Sequence, residues 1–97
     1  QMLHMLYKRY QKQTLFIITG KPQQVYEGIR DITNHDATLF KGIGCYKKQE
    51  CNMLYSVVGS DEIHKVVTKI KQVDELAFVN IMKTEQVTGR FYKKPND

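Results

Sequence analysis

Three stretches of this chain are apolar on both alternations of a β-strand. In residues 14–19 (TLFIIT), Phe16 and Ile18 point one way and Leu15 and Ile17 the other. In residues 53–58 (MLYSVV), Met53, Tyr55 and Val57 oppose Leu54 and Val58. In residues 77–82 (AFVNIM), Phe78 and Met82 oppose Val79 and Ile81. Successive side chains of a strand point to opposite faces. A sheet with one wet face shows polar alternation instead. These strands therefore ask for cover on both sides.

The chain offers only two helices as cover. Pro22 suits a first helical turn, where its missing N–H is no loss. Val25, Ile29 and Ile32 follow at i, i+4, i+7 and predict a helix to about Thr33. Asn34-His35-Asp36 reads as a turn. Gly59-Ser60-Asp61-Glu62 reads as a second helix start, capped by Ser60 or Asp61. Ile63, Val66, Val67, Ile70 and Val73 form its stripe, and Asp74-Glu75 ends it. Between the helices, residues 37–41 predict a strand followed by Gly42-Ile43-Gly44. Residues 45–52 (CYKKQECN) read as a polar hairpin connection. The last strand spans 77–82, with Val87 as its outer limit.

The order is β-α-β-β-α-β, the split plan of α+β ferredoxin-like domains. It implies a four-stranded antiparallel sheet with both helices on one face. The other face is then an apolar patch, and such patches mark contact sites. A second copy or a parent domain is expected on it. The alternative is that the leader or tail folds back over it.

At 97 residues and 11.4 kDa, the chain holds one small core. It is 41% apolar and 26% charged, which argues against disorder and excludes a multidomain enzyme. The longest apolar runs, such as residues 15–18, are four residues and too short to cross a bilayer. No secretory signal is visible. A first residue Gln1 is expected of a piece of something longer. The net charge of +5 and pI near 9.3 favour anionic partners. Residues 1–12 hold Lys8, Arg9 and Lys12 without an acid, and residues 86–97 hold Arg90, Lys93 and Lys94 against Asp97. Leu3, Leu6, Tyr7 and Tyr10 give the leader a helical apolar stripe.

Cys45 and Cys51 are too few for a disulfide framework. With His4, His35 and His64 scattered, they give no zinc-ligand spacing either. Both read as free thiols of a reducing compartment. No metal and no cofactor is expected. His64 is expected to face solvent and His35 to sit in a turn, neither with a Ser, Cys or acid partner at catalytic spacing. Cys45, near Lys47 and Lys48, is the one candidate reactive thiol. Acylphosphatases share the topology but place an Arg in the loop after strand one. Here that loop is Thr19-Gly20-Lys21-Pro22. No catalytic residue is assigned and the chain is not read as an enzyme. RNA recognition on such a sheet needs exposed aromatics on strand three. Residues 53–58 offer only Tyr55, so nucleic acid is not expected.

Two segments stand out as binding candidates. Glycine at Gly42 and Gly44 permits close approach of backbone N–H groups to an anion, and equally a bulge or tight turn. Lys41, Lys47, Lys48 and Arg90 supply charge, or are simply solvated. Tyr46 can stack on a base or cover the hairpin. Thr88-Gly89-Arg90-Phe91 combines a flexible turn, a cation and an aromatic.

The stretches FIITGKPQQVYEGI (16–29), KGIGCY (41–46), LYSVVGSDEIHKV (54–66), ELAFVNI (75–81) and EQVTGRF (85–91) together resemble the C-terminal cytosolic domain of YitT-type bacterial membrane proteins. That is a domain of unknown function, and the likeness spans roughly residues 14–92. Gly20 stands where that family often has a polar residue, and His35-Asp36 where Arg-Gly is usual. The resemblance implies a multi-pass membrane domain upstream, with residues 1–13 as a basic juxtamembrane leader on the cytoplasmic side of an inner membrane. It leaves 93–97 as a tail. The chain also distantly resembles PII-type signalling proteins. Their nucleotide site uses a Lys-Gly-x-Gly turn after strand two and a Thr-Gly-rich basic segment after strand four. That likeness implies a small anionic ligand held by Lys41, Gly42, Gly44, Tyr46, Thr88, Gly89 and Arg90, with Tyr46 where a ligand-contacting Gln is common. The leading expectation is a self-associating regulatory or sensor domain. The alternative is an oligomerisation module with no small ligand.

Overall fold

The computed structural model describes residues 11–89. The stripe Leu3 to Tyr10, the candidates Arg90 and Phe91, and the tail lie outside the described residues. The elements run β1 (Lys12–Ile18), α1 (Pro22–Thr33), β2 (Thr38–Ile43), β3 (Glu50–Gly59), α2 (Ile63–Val73) and β4 (Phe78–Thr84). The sheet order is β2-β3-β1-β4 and every neighbouring pair is antiparallel. The ferredoxin-like plan read from the sequence is the observed one.

The core forms where the helical stripes meet one alternation of the central strands. Leu15 and Ile17 of β1 and Leu54 and Val58 of β3 are buried with Val25 and Ile29 of α1 and Val66 and Ile70 of α2. Both helices therefore lie on the Leu15 face. They approach closely at Gly28, where a side chain would press on the Lys69 stem. α1 ends as the turn chemistry predicts. Asn34 is left-handed (φ 62°), and its N–H donates to the Arg30 carbonyl at 2.9 Å.

Five boundaries among these elements differ most from the sequence reading. β1 starts at Lys12, two residues early, because Lys12 and Gln13 pair with both Gly59 and Val58 of β3 and Thr84 and Lys83 of β4. β2 runs on past Lys41 through Ile43, and β3 starts at Glu50 inside the supposed connection, with Gly42 opposite Cys51 and Ile43 opposite Glu50. Ladder pairing overrides the weak strand propensity of Gly42 and Glu50. β4 ends at Thr84, short of Val87. α2 has neither Ser60 nor Asp61 as its cap. The cap position is Glu62, whose carboxylate accepts from the Gly59 N–H at 2.8 Å.

Candidate functional site

The strands turn their second alternation away from the helices. Register places Phe16 between Tyr55 and Asn80, and Ile18 between Met53 and Phe78. Thr14 lies between Val57 and Met82, while Phe40 extends the face beside Met53. The Phe16 and Tyr55 rings sit 5.5 Å apart in a tilted pair. Phe78 is 64% exposed and Ile18 42% exposed, against 0% for Leu15 and Ile17 one residue away. Among the described residues the face turned from the helices is thus largely apolar, with Thr14, Thr38, Asn80 and Thr84 as polar interruptions and Lys12 at one end.

The candidate ligand residues fall into two groups. Lys41 and Gly42 lie within β2, Gly44 opens the hairpin, and Tyr46 stands at its tip, 95% exposed. Thr88 and Gly89 follow β4 and are exposed. β2 ends at the end of the sheet where β1 has Ile18, across β3, whereas β4 ends beside Lys12. The two groups therefore occupy opposite edges and opposite ends of the sheet, and one copy does not bring them together. Gly42 sits in regular ladder, not in a bend. Gly44 donates its N–H to the Gln49 carbonyl at 2.7 Å, and the left-handed hairpin residue is Lys48 (φ 60°). Gly89 has φ 119°, where glycine alone is comfortable.

Two polar constellations escaped the sequence. His35, read as lacking an acid partner, is buried with its Nε2 3.0 Å from Glu62 Oε1. The same oxygen takes the Gly59 N–H, while Oε2 is buried with no hydrogen bond among the described residues. Twenty-seven residues separate the pair, so no local pattern announced it. The contact ties the α1–β2 turn to the start of α2. At the other end of α2, Thr19 Oγ1 donates to Asp74 Oδ2 at 2.6 Å, and the Leu76 N–H donates to Oδ1 at 3.1 Å. These hydrogen bonds, Thr19 foremost, with the Gly20 N–H and the Lys21 charge, hold the Asp74 carboxyl below its ordinary range despite partial desolvation.

A groove of about 470 Å³ runs between α1 and the helix-side residues of β2 and β3, with Tyr26 as wall and Leu39, Lys41 and Asn52 in its floor. Lys41 lines it; Gly42, Gly44 and Tyr46 do not. Among the described residues no group of three His, Cys, Asp or Glu is placed to hold a metal ion. None of their helices is long and apolar enough to cross a membrane.

Residues 35–89 match the family described as "Uncharacterized protein conserved in bacteria (DUF2179)". The UPF0750 membrane protein YvjA of Bacillus subtilis is 32% identical over 78 residues, 80% of this chain and 28% of that protein. The UPF0750 membrane protein YitT of the same organism is 27% identical over 88 residues, 91% of this chain and 31% of that protein. The chain thus spans under a third of the curated relatives it matches. A functionally unknown protein from Pediococcus pentosaceus superposes with a TM-score of 0.70 at 16% identity, covering 86% of this chain and 99% of that one. A DUF2179 protein from Eubacterium ventriosum does so with a TM-score of 0.60 at 22% identity, covering 76% and 99%.

Proposed function

The chain belongs to the DUF2179 family, and from that membership we propose that it is a non-catalytic, self-associating regulatory domain of a bacterial membrane protein, held on the cytoplasmic side. The bare sheet face carries this reading. Six large apolar side chains on it — Phe16, Ile18, Phe40, Tyr55, Phe78 and Met82 — are left by their own helices without cover. A stable interface takes roughly 800 Å² from each partner, about what one face of a four-stranded sheet presents. A second copy meets that face with the same surface, so the contact closes on itself as a dimer. Sedimentation of the 97-residue chain tests it. Dimers at micromolar concentration, lost in a Tyr55→Lys, Phe78→Lys double variant that keeps its circular dichroism, support the reading. A monomer at every concentration overturns it.

A sensor role adds a small anionic ligand at Lys41, Gly42, Gly44, Tyr46, Thr88, Gly89 and Arg90. Lys41 on the groove favours it. The separation of the two groups within one copy, and the use of the Gly44 N–H inside the hairpin, weigh toward plain self-association. A thermal-shift series with nucleotides separates the two. Ligand at 100 Kd adds about 2.7 kcal/mol of stability, and that gain is expected to vanish in Lys41→Ala if the sensor reading holds.

A further inference from the structure

The second surface that this fold leaves open is the edge of β2. All six residues from Thr38 to Ile43 are exposed. The strand lies at the end of the sheet order, so one row of its N–H and C=O groups has no ladder partner among the described residues. Natural edges of this kind are blunted by proline, bulges or several charges. β2 has no proline and no positive-φ residue, and Lys41 is its only charge. Leu39, Phe40 and Ile43 stand out from it, Ile43 at 72% exposure.

The groove lies beside this edge. Its wall is Tyr26, steadied by Arg30 Nη1 donating to the tyrosine oxygen at 2.8 Å. Its floor is the helix-side alternation of β2 and β3, where Leu39 pairs with Leu54 and Lys41 with Asn52. A strand laid beside β2 continues that floor outward, and every second side chain stands next to Leu39 or Lys41. Main-chain bonds then give affinity and alternate side chains give specificity.

We propose that the β2 edge takes up an extended peptide segment as a fifth strand, with acidic residues on the groove side beside Lys41 and apolar residues beside Phe40. Charge selects this occupant. The Lys41 side chain makes no hydrogen bond or ion pair among the described residues; the one acid lining the groove, Glu50, stands on β3, a strand further from the edge, and Lys47 and Lys48 add two more cations in the hairpin. Pairing β2 with its own copy sets Lys41 against Lys41 near the twofold axis, and like charges facing across strands destabilise. An acid in the same place is attracted instead. The bare face plays no part in this contact, so either proposal can fail alone.

The test uses a capped octapeptide alternating valine and glutamate, its valine–lysine counterpart, and the valine–glutamate peptide N-methylated at alternate residues. Amide shifts and hydrogen exchange of the 97-residue chain are followed by NMR. The valine–glutamate peptide is expected to move and protect the amides of residues 38–43. The lysine peptide should bind about threefold or more weakly, and the N-methylated one not at all. Lys41→Glu, at an exposed site, should reverse the charge preference. Silence at residues 38–43 with both unmodified peptides overturns the proposal. So does binding that survives N-methylation, or shifts centred on Phe16 and Tyr55 instead.

Discussion

The two faces of the sheet are built from alternate residues of the same strands, and they have opposite fates. Leu15 and Ile17 are sealed beneath both helices, while Phe16 and Ile18, alternating with them, are partly or well exposed. Apolar content does not separate the faces, since the bare one carries more aromatic surface. What separates them is supply: two helices shield one face of four strands. Hydrophobicity therefore marks where water is unwelcome, and the topology decides whether the chain itself or a partner excludes it.

The strongest test of this contrast is truncation on each face. Leu15→Ala should lose about 2–5 kcal/mol in urea denaturation, the range for a fully buried site. Ile18→Ala, measured at a concentration where the chain is monomeric, should lose well under about 1 kcal/mol. Equal losses would erase the distinction.

Next in size is the lock on the helical cover. Glu62→Ala should cost about 1–3 kcal/mol, because the Gly59 N–H and buried His35 lose their acceptor. Glu62→Gln keeps an acceptor and should recover part of it. Hydrogen exchange in the first turn of α2 would localise the damage.

Substitutions on the bare face sharpen the comparison from the other side. Phe78→Ser should leave monomer stability within about 0.5 kcal/mol yet raise the dimer Kd by about tenfold, as for an interface residue worth over 1 kcal/mol. Sedimentation equilibrium reads both species.

The smallest expected effect is at Asp74, which pins the far end of α2 to the β1–α1 loop. Its folded pKa lies below the ordinary 3.8. Its contribution is therefore complete above that value and disappears as pH falls through the lower folded one. Asp74→Asn should flatten that acid limb in pH-dependent melting and leave the bare face unchanged.

Element type and order were legible because the signals are local. The stripe Val25, Ile29, Ile32 and the stripe from Ile63 to Val73 repeat at helical spacing, and Pro22 and Asn34 mark the ends of one helix in their own conformations. The hairpin was less legible. Gly42 and Asn52 have weak strand preference, and with Ile43 and Cys51 beside the turn they joined the ladder through pairing. The candidate ligand residues were picked as Gly-rich and basic segments, a signal blind to which end of the sheet each one reaches.

The spacing of apolar residues along the chain was enough by itself to set six elements, their order and a sheet greasy on both sides, because backbone geometry turns spacing into direction within a few residues. Only the tertiary structure decided that the Leu15 alternation is the one beneath the helices. It alone joined His35 to Glu62, and it set the Lys41 corner diagonally across from Gly89. Each of these depends on residues far apart in the chain, whose meeting is settled by how whole elements pack.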